Sequence, residues 1–153
     1  MTEDYEAIRR LSYEYTFLLD EGDFDGVAAL LAEAELQPVM RGVASEPLTG
    51  AAAIRAFYAD QVVVHDGNPR TRHVISNHAI AVTGDEASAR CYFTVLIKPP
   101  GEPYQTVVGG QYRDRFVRED GRWRFAAKAI QVDYLNNIGL HFRIAAEHAV
   151  SDR

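Results

Sequence analysis

Two hydrophobic periods divide the chain. Up to about residue 70 apolar side chains recur every three or four positions, and beyond it they alternate. Over residues 3–20, Tyr5, Ile8, Leu11, Tyr15 and Leu19 form one apolar stripe, which predicts an amphipathic helix. Thr2 can cap it, Glu3 and Asp4 suit its positive end, and Glu21-Gly22 ends it. Asp23 then caps a short second helix carrying Val27, Leu30 and Leu31. Thr49-Gly50 opens a third, with Ile54, Phe57 and Tyr58 on its buried side. A strand fits near residues 35–41. Four longer strands follow at about 71–82, 86–97, 105–118 and 122–134. Thr83-Gly84-Asp85 and Glu119-Asp120-Gly121 are tight hairpin signals between them, and Pro99-Pro100-Gly101 makes a wider turn. Ile138, Phe142 and Ala145 return to helical spacing and predict a last helix over 137–149.

Helices followed by an antiparallel meander indicate an α+β fold in one domain. Alternation places Val108, Gly110, Tyr112, Asp114 and Phe116 on one face of their strand, with Gln111, Arg113 and Arg115 opposite. On the next strand it places Trp123, Phe125, Ala127 and Ala129 together, with Arg124 and Lys128 on the other side. Gly109-Gly110 has no helix after it, so it marks a bulge or bend rather than a phosphate loop.

Composition narrows the function classes. The 153 residues are 47% apolar and 25% charged, as in an ordinary globular domain. The net charge of −6 is scattered, which leaves no basic footprint for nucleic acid. The acidic, polar start lacks a signal core, and no apolar run approaches the ~18–20 residues of a membrane span. The expected compartment is the cytoplasm, with no membrane partner. Cys91 is the one cysteine, so no internal disulfide or cysteine-based zinc site can form, and its alternating surroundings predict a buried thiol. His65, His78, His141 and His148 show no metal-ligand spacing, and neither metal nor cofactor is expected.

Three segments carry a resemblance: LLDEGDFDGVAALL, PRTRHVISN and YRDRFVREDGRWRFA. Together they resemble a SnoaL-like domain of the nuclear-transport-factor-2-like superfamily, over roughly residues 4–135. The resemblance implies a cone-shaped roll: a curved, mostly antiparallel sheet wrapped over three N-terminal helices, with a pocket at its open end. Residues 1–135 would form that domain, with 136–153 as an extension of it. Within the superfamily the chain is most similar to the scytalone dehydratase and bile-acid 7α-dehydratase type. Asp20 stands three residues before Asp23-Phe24-Asp25, as the catalytic Asp of scytalone dehydratase precedes its Asp-Trp-Asp. Arg70-Thr71-Arg72 precedes His73, as Arg-Thr-Gln precedes its catalytic His. Tyr15, five residues before Asp20, matches a Tyr of the bile-acid enzyme. The pocket shell departs: Leu19, Val39, Ile97 and Tyr112 stand at or near positions where scytalone dehydratase has Tyr, Tyr, His and Asn. Scytalone itself is therefore not the expected substrate.

The residue types suit one chemistry. Elimination beside a carbonyl needs a base at the α-carbon and an acid at the departing hydroxyl. One imidazole can serve both in turn when a carboxylate on its Nδ1–H fixes the tautomer. The helix dipole disfavours Asp at a C-terminus, so Asp20 beside Leu18 and Leu19 calls for a reason. The alternatives are a solvated helix-end carboxylate and a satisfied strand histidine. Tyr15, Tyr58 and Tyr112 are pocket candidates by position, or else core packing. Asn77 shares a face with His73 and Ile75 if no bulge intervenes, and would then bind ligand; otherwise it serves the backbone at a strand irregularity. Asp114, among aromatics, is either a protonated donor to an enolate, as in ketosteroid isomerase, or half of an ion pair with an arginine such as Arg90.

The expected function is thus a cofactor-independent lyase or isomerase. Asp20 and His73 would be catalytic, and Tyr15, Tyr58, Asn77, Tyr112 and Asp114 substrate-binding. The substrate would be a hydroxylated cyclic or polycyclic ketone of polyketide or steroid type. A non-catalytic small-molecule-binding module and a small subunit resembling the ring-hydroxylating dioxygenase β subunit are the alternatives. Relatives of this fold pair through an exposed sheet face, so a homodimer is expected, with Val107, Val117, Ile130 and Val132 on mixed faces.

Overall fold

The computed structural model describes residues 2–143. Helix α1 (Thr2–Glu21) buries Ile8, Ser12, Tyr15 and Leu19 along one stripe. It stops at Gly22, whose φ of 73° is open to glycine. There Gly22 N–H donates to the Leu19 carbonyl at 3.0 Å and Asp23 N–H to the Leu18 carbonyl at 2.9 Å, the two closing bonds of a glycine-capped helix end. A Cβ on Gly22 would come 3.1 Å from Pro69 Cδ, so this turn packs against the chain entering the sheet. Helix α2 (Phe24–Leu30) begins on the Asp23 carboxylate, which accepts from Gly26 N–H at 2.8 Å. Helix α3 (Ala51–Gln61) buries Ile54 and Tyr58.

The strands are β1 (Glu35–Met40), β2 (Val43–Ala44), β3 (Leu48–Thr49), β4 (Thr71–Thr83), β5 (Glu86–Ile97), β6 (Gln105–Glu119) and β7 (Arg122–Leu135). They form one mixed sheet in the order β2-β1-β7-β6-β5-β4, with β3 also on β1. All pairs are antiparallel except β1 with β7. The helices lie against its curved inner face. Asp4 in the first turn of α1 accepts from Trp123 Nε1 and from Arg118, both at 2.8 Å, which ties the helix to the β6–β7 hairpin.

Bulges decide what the inner face presents, because one extra residue reverses the side-chain phase of everything beyond it. In β7 Ala127 pairs with Arg115 and Phe125 with Phe116, so Ala126 is extra. Trp123 and Phe125 point inward as expected, but beyond the bulge Lys128 is the buried residue, 1% exposed, and Ala127 and Ala129 turn outward. Ile130 and Val132 then line the inner cavity, and Val107 is fully buried. In β4 the register slips between Ser76 and Ala79, and Asn77 sits there at φ 54°. A slip also falls at Gly109/Gly110, where a Cβ on Gly110 would collide with the Gln131 carbonyl and the Phe93 ring.

After β7 the chain turns at Asn137 into a 3₁₀ turn, Ile138–Leu140. His65 Nε2 donates to the Leu140 carbonyl at 3.0 Å, and Val63 N–H to the His141 carbonyl at 2.8 Å. Of the helix expected over 137–149, this turn is the part observed, and residues from 144 on lie outside the described ones. Among the described residues no helix is long and apolar enough to cross a membrane.

Candidate active site

Between α1, α3, the inner sheet face and the C-terminal turn lies a cavity of about 90 Å³. Its walls are aromatic and aliphatic, from Tyr15, Phe57, Tyr58, Phe93 and Tyr112 with Leu, Val and Ile side chains around them. Two imidazoles, His73 and His141, interrupt this lining.

Asp20 reaches His73 because the glycine-capped end of α1 packs beside the start of β4. Its carboxylate accepts three hydrogen bonds there: from Thr71 Oγ1 at 2.8 Å, His73 N–H at 3.0 Å and His73 Nδ1 at 2.6 Å. The two side chains are 12% and 6% exposed. Burial pushes the Asp20 carboxyl up, but His73 and Thr71 together outweigh it and hold it below the usual carboxylate range. Asp20 is thus an anion that fixes the His73 tautomer, with Nδ1–H toward the carboxylate and Nε2 left for the cavity.

Tyr15 and Tyr58 share a hydroxyl–hydroxyl bond of 2.6 Å. Burial raises both phenols, Tyr15 well above its ordinary value, so both stay protonated. Two hydroxyls hold two protons and their mutual bond uses one, which leaves one O–H able to donate elsewhere. Tyr112 stacks flat on Phe93, with centroids 4.2 Å apart, and meets Tyr15 edge-on at 5.7 Å.

Two expected site residues lie elsewhere. Asn77 is exposed: the bulge in β4 turns it outward and gives the inward position after Ile75 to His78. Asp114 is 3% exposed but does not border the cavity. Its partner is Lys128 rather than Arg90, which is exposed on the outer face. Lys128 Nζ stands 3.3 Å from both Asp114 oxygens, 3.7 Å over the Tyr112 ring and 4.2 Å over that of Tyr15. Burial raises the Asp114 carboxyl and lowers the Lys128 ammonium, and each charge offsets the other's shift. An ion pair in an aromatic cage therefore lies behind the cavity wall. Cys91 is buried, its thiol pushed up to about 11. Among the described residues no three His, Cys, Asp or Glu side chains converge as metal ligands.

Sequence reasoning missed His141 and Lys128. His141 follows the last strand and joins the cavity through a tertiary turn, so no local period marks it. Lys128 had a visible signal, a cation in a buried strand, but the bulge at Ala126 reversed its face.

The SnoaL-like domain family matches residues 1–128. Among curated proteins no relative matches the chain. Solved structures do. An NTF2-like protein of cystatin-like fold from Novosphingobium aromaticivorans is 26% identical, with a TM-score of 0.66 over 86% of this chain and 82% of that one. A candidate scytalone dehydratase from the same organism is 24% identical, TM-score 0.65, over 90% and 94%. The β subunit of a candidate aromatic-ring-hydroxylating dioxygenase, also from that organism, is 19% identical, TM-score 0.69, over 86% and 90%. The latter two share the fold alone, and their differing descriptions show that it does not fix one activity. With the family match spanning most of its length and this fold around its cavity, the chain belongs to the SnoaL-like domain family of the NTF2-like fold.

Proposed function

We propose that this protein is a cofactor-independent lyase or isomerase that moves protons on a hydroxylated cyclic ketone, with Asp20 and His73 as its acid–base pair. The observation that carries the reading is the 2.6 Å Asp20–His73 bond beside an otherwise apolar cavity. In an elimination, His73 Nε2 takes the proton from the carbon next to the carbonyl. The C–H electron pair forms the enolate, and the free O–H of the Tyr15–Tyr58 pair donates to its oxygen. The enolate then expels the β-hydroxyl, which takes the proton from His73 and leaves as water. A β-hydroxy ketone becomes an enone, and the neutral imidazole is restored. In an isomerisation the same nitrogen returns the proton to a different carbon.

Size narrows the substrate. An engineered cavity of ~150 Å³ holds one benzene ring, so the cavity here, at about 90 Å³, takes part of one small ring and the rest sits in its mouth. A polycyclic ligand would have to extend through its mouth. In the same reading the chain is a homodimer through the outer sheet face, where Val74, Tyr92 and Tyr134 are exposed; sedimentation equilibrium checks this.

The test is a panel of single-ring β-hydroxy ketones, 3-hydroxycyclohexanone first, followed by enone absorbance. Wild type should release water, and His73→Gln and Asp20→Asn should slow this roughly 10²–10⁴-fold. If wild type binds the panel but releases water from none, the elimination is refuted and a binding module remains.

A further inference from the structure

The second imidazole of the cavity belongs to His141, which lies beyond the residues that match the family. Its position is built. The 3₁₀ turn, the Val62–Phe142 bridge and the Val63 N–H on its carbonyl hold the backbone. Its ring packs between His73 and Phe142, with centroids 5.8 and 5.5 Å away. Yet the side chain is unsatisfied: the residue is 6% exposed and its Nδ1 has no hydrogen-bond partner. Such a group is costly to bury unless something completes it. Both imidazoles border the same cavity, with their ring centroids 5.8 Å apart and the rings edge to face.

We propose that His141 is a specificity-determining residue that binds the hydroxyl oxygen of a ring ligand and holds it beside His73. As a lyase residue it rests on the Asp20–His73 reading: the oxygen it holds is the departing hydroxyl, within reach of the proton on His73. Burial and the neighbouring His73 lower its own pKa to about 3, so it stays neutral and positions that oxygen without acting as the acid. An unpaired buried nitrogen penalises a ring with a methyl where the hydroxyl should be, which makes the cavity selective for hydroxylated rings.

Binding of an isosteric pair tests this without turnover. The probes are 4-fluorophenol and 4-fluorotoluene, titrated against the full chain and followed by fluorine NMR. The ratio of their dissociation constants in wild type is the reference. In His141→Phe it should shift toward 4-fluorotoluene by roughly fivefold to tenfold, the worth of one hydrogen bond. His141→Gln, which keeps a hydrogen-bonding group, should recover part of the shift and guards against a misfolded Phe variant. An unchanged ratio in both variants, or no binding of either probe to wild type, overturns the proposal. Failure of the acid–base reading shows elsewhere, as absent enone formation, and leaves the probe ratio untouched.

Discussion

Replacing Lys128 by Met tests how the wall behind the cavity is held. The Lys128 side chain is 0% exposed and that of Asp114 1%. The variant keeps the apolar volume but removes the charge that faces the carboxylate. Burial already raises the Asp114 carboxyl, so without the ammonium it should fold in its protonated form. An unfolded aspartate titrates at about 3.9, and each pH unit above that costs ~1.4 kcal/mol to keep the proton, so the penalty at pH 7 is about 4 kcal/mol. That falls within the ~3–5 kcal/mol found when one partner of a buried pair is removed. The sign is set by the native state holding a proton that the unfolded chain gives up. The penalty is therefore small near pH 4 and grows with pH; between about pH 4.5 and 7 it should rise by ~3 kcal/mol. The assay is urea unfolding followed by Trp123, the only tryptophan, compared with wild type at each pH. Asp114→Leu added to Lys128→Met should return stability to within ~1 kcal/mol of wild type, since an apolar pair removes both desolvation costs. Equal losses at both pH values, or a near-wild-type Met variant at pH 7, would refute the reasoning.

His141 should leave its own mark on stability. Its lowered native pKa means that the unfolded chain takes up a proton below about 6.5 that the folded one refuses down to about 3, with His73 lowering and Asp20 raising that value. Wild type should lose stability as pH falls through this window, and His141→Gln should flatten the slope in parallel urea titrations; coincident slopes would count against it. Asn77→Ala should cost ~1 kcal/mol, because only glycine and asparagine-like residues accept its positive φ cheaply, and Asn77→Gly should cost little. Both should leave 4-fluorophenol affinity unchanged, which a pocket role for Asn77 would not allow.

Local signals determined the elements: apolar spacing placed the three helices and four long strands, and Gly22, Asp23, Thr49-Gly50 and the hairpin turns placed their ends. These are properties of a few consecutive residues, so they are legible in order along the chain. Tyr15, Asp20, Tyr58, His73 and Tyr112 were named from family register and position; the tyrosines and His73 line one cavity, and Asp20 stands behind His73, bonded to it. Only the tertiary structure decided which way the sheet residues face. One extra residue at Ala126 sent Lys128 inward to Asp114, and the slip at Asn77 sent that side chain out, because a period of two has no memory across a bulge. His141 was equally invisible: it reaches the cavity through a turn held by bonds to Val63 and His65, contacts between residues far apart in the chain. The Asp20–His73 contact could be read from family register, while the second imidazole beside it came from packing.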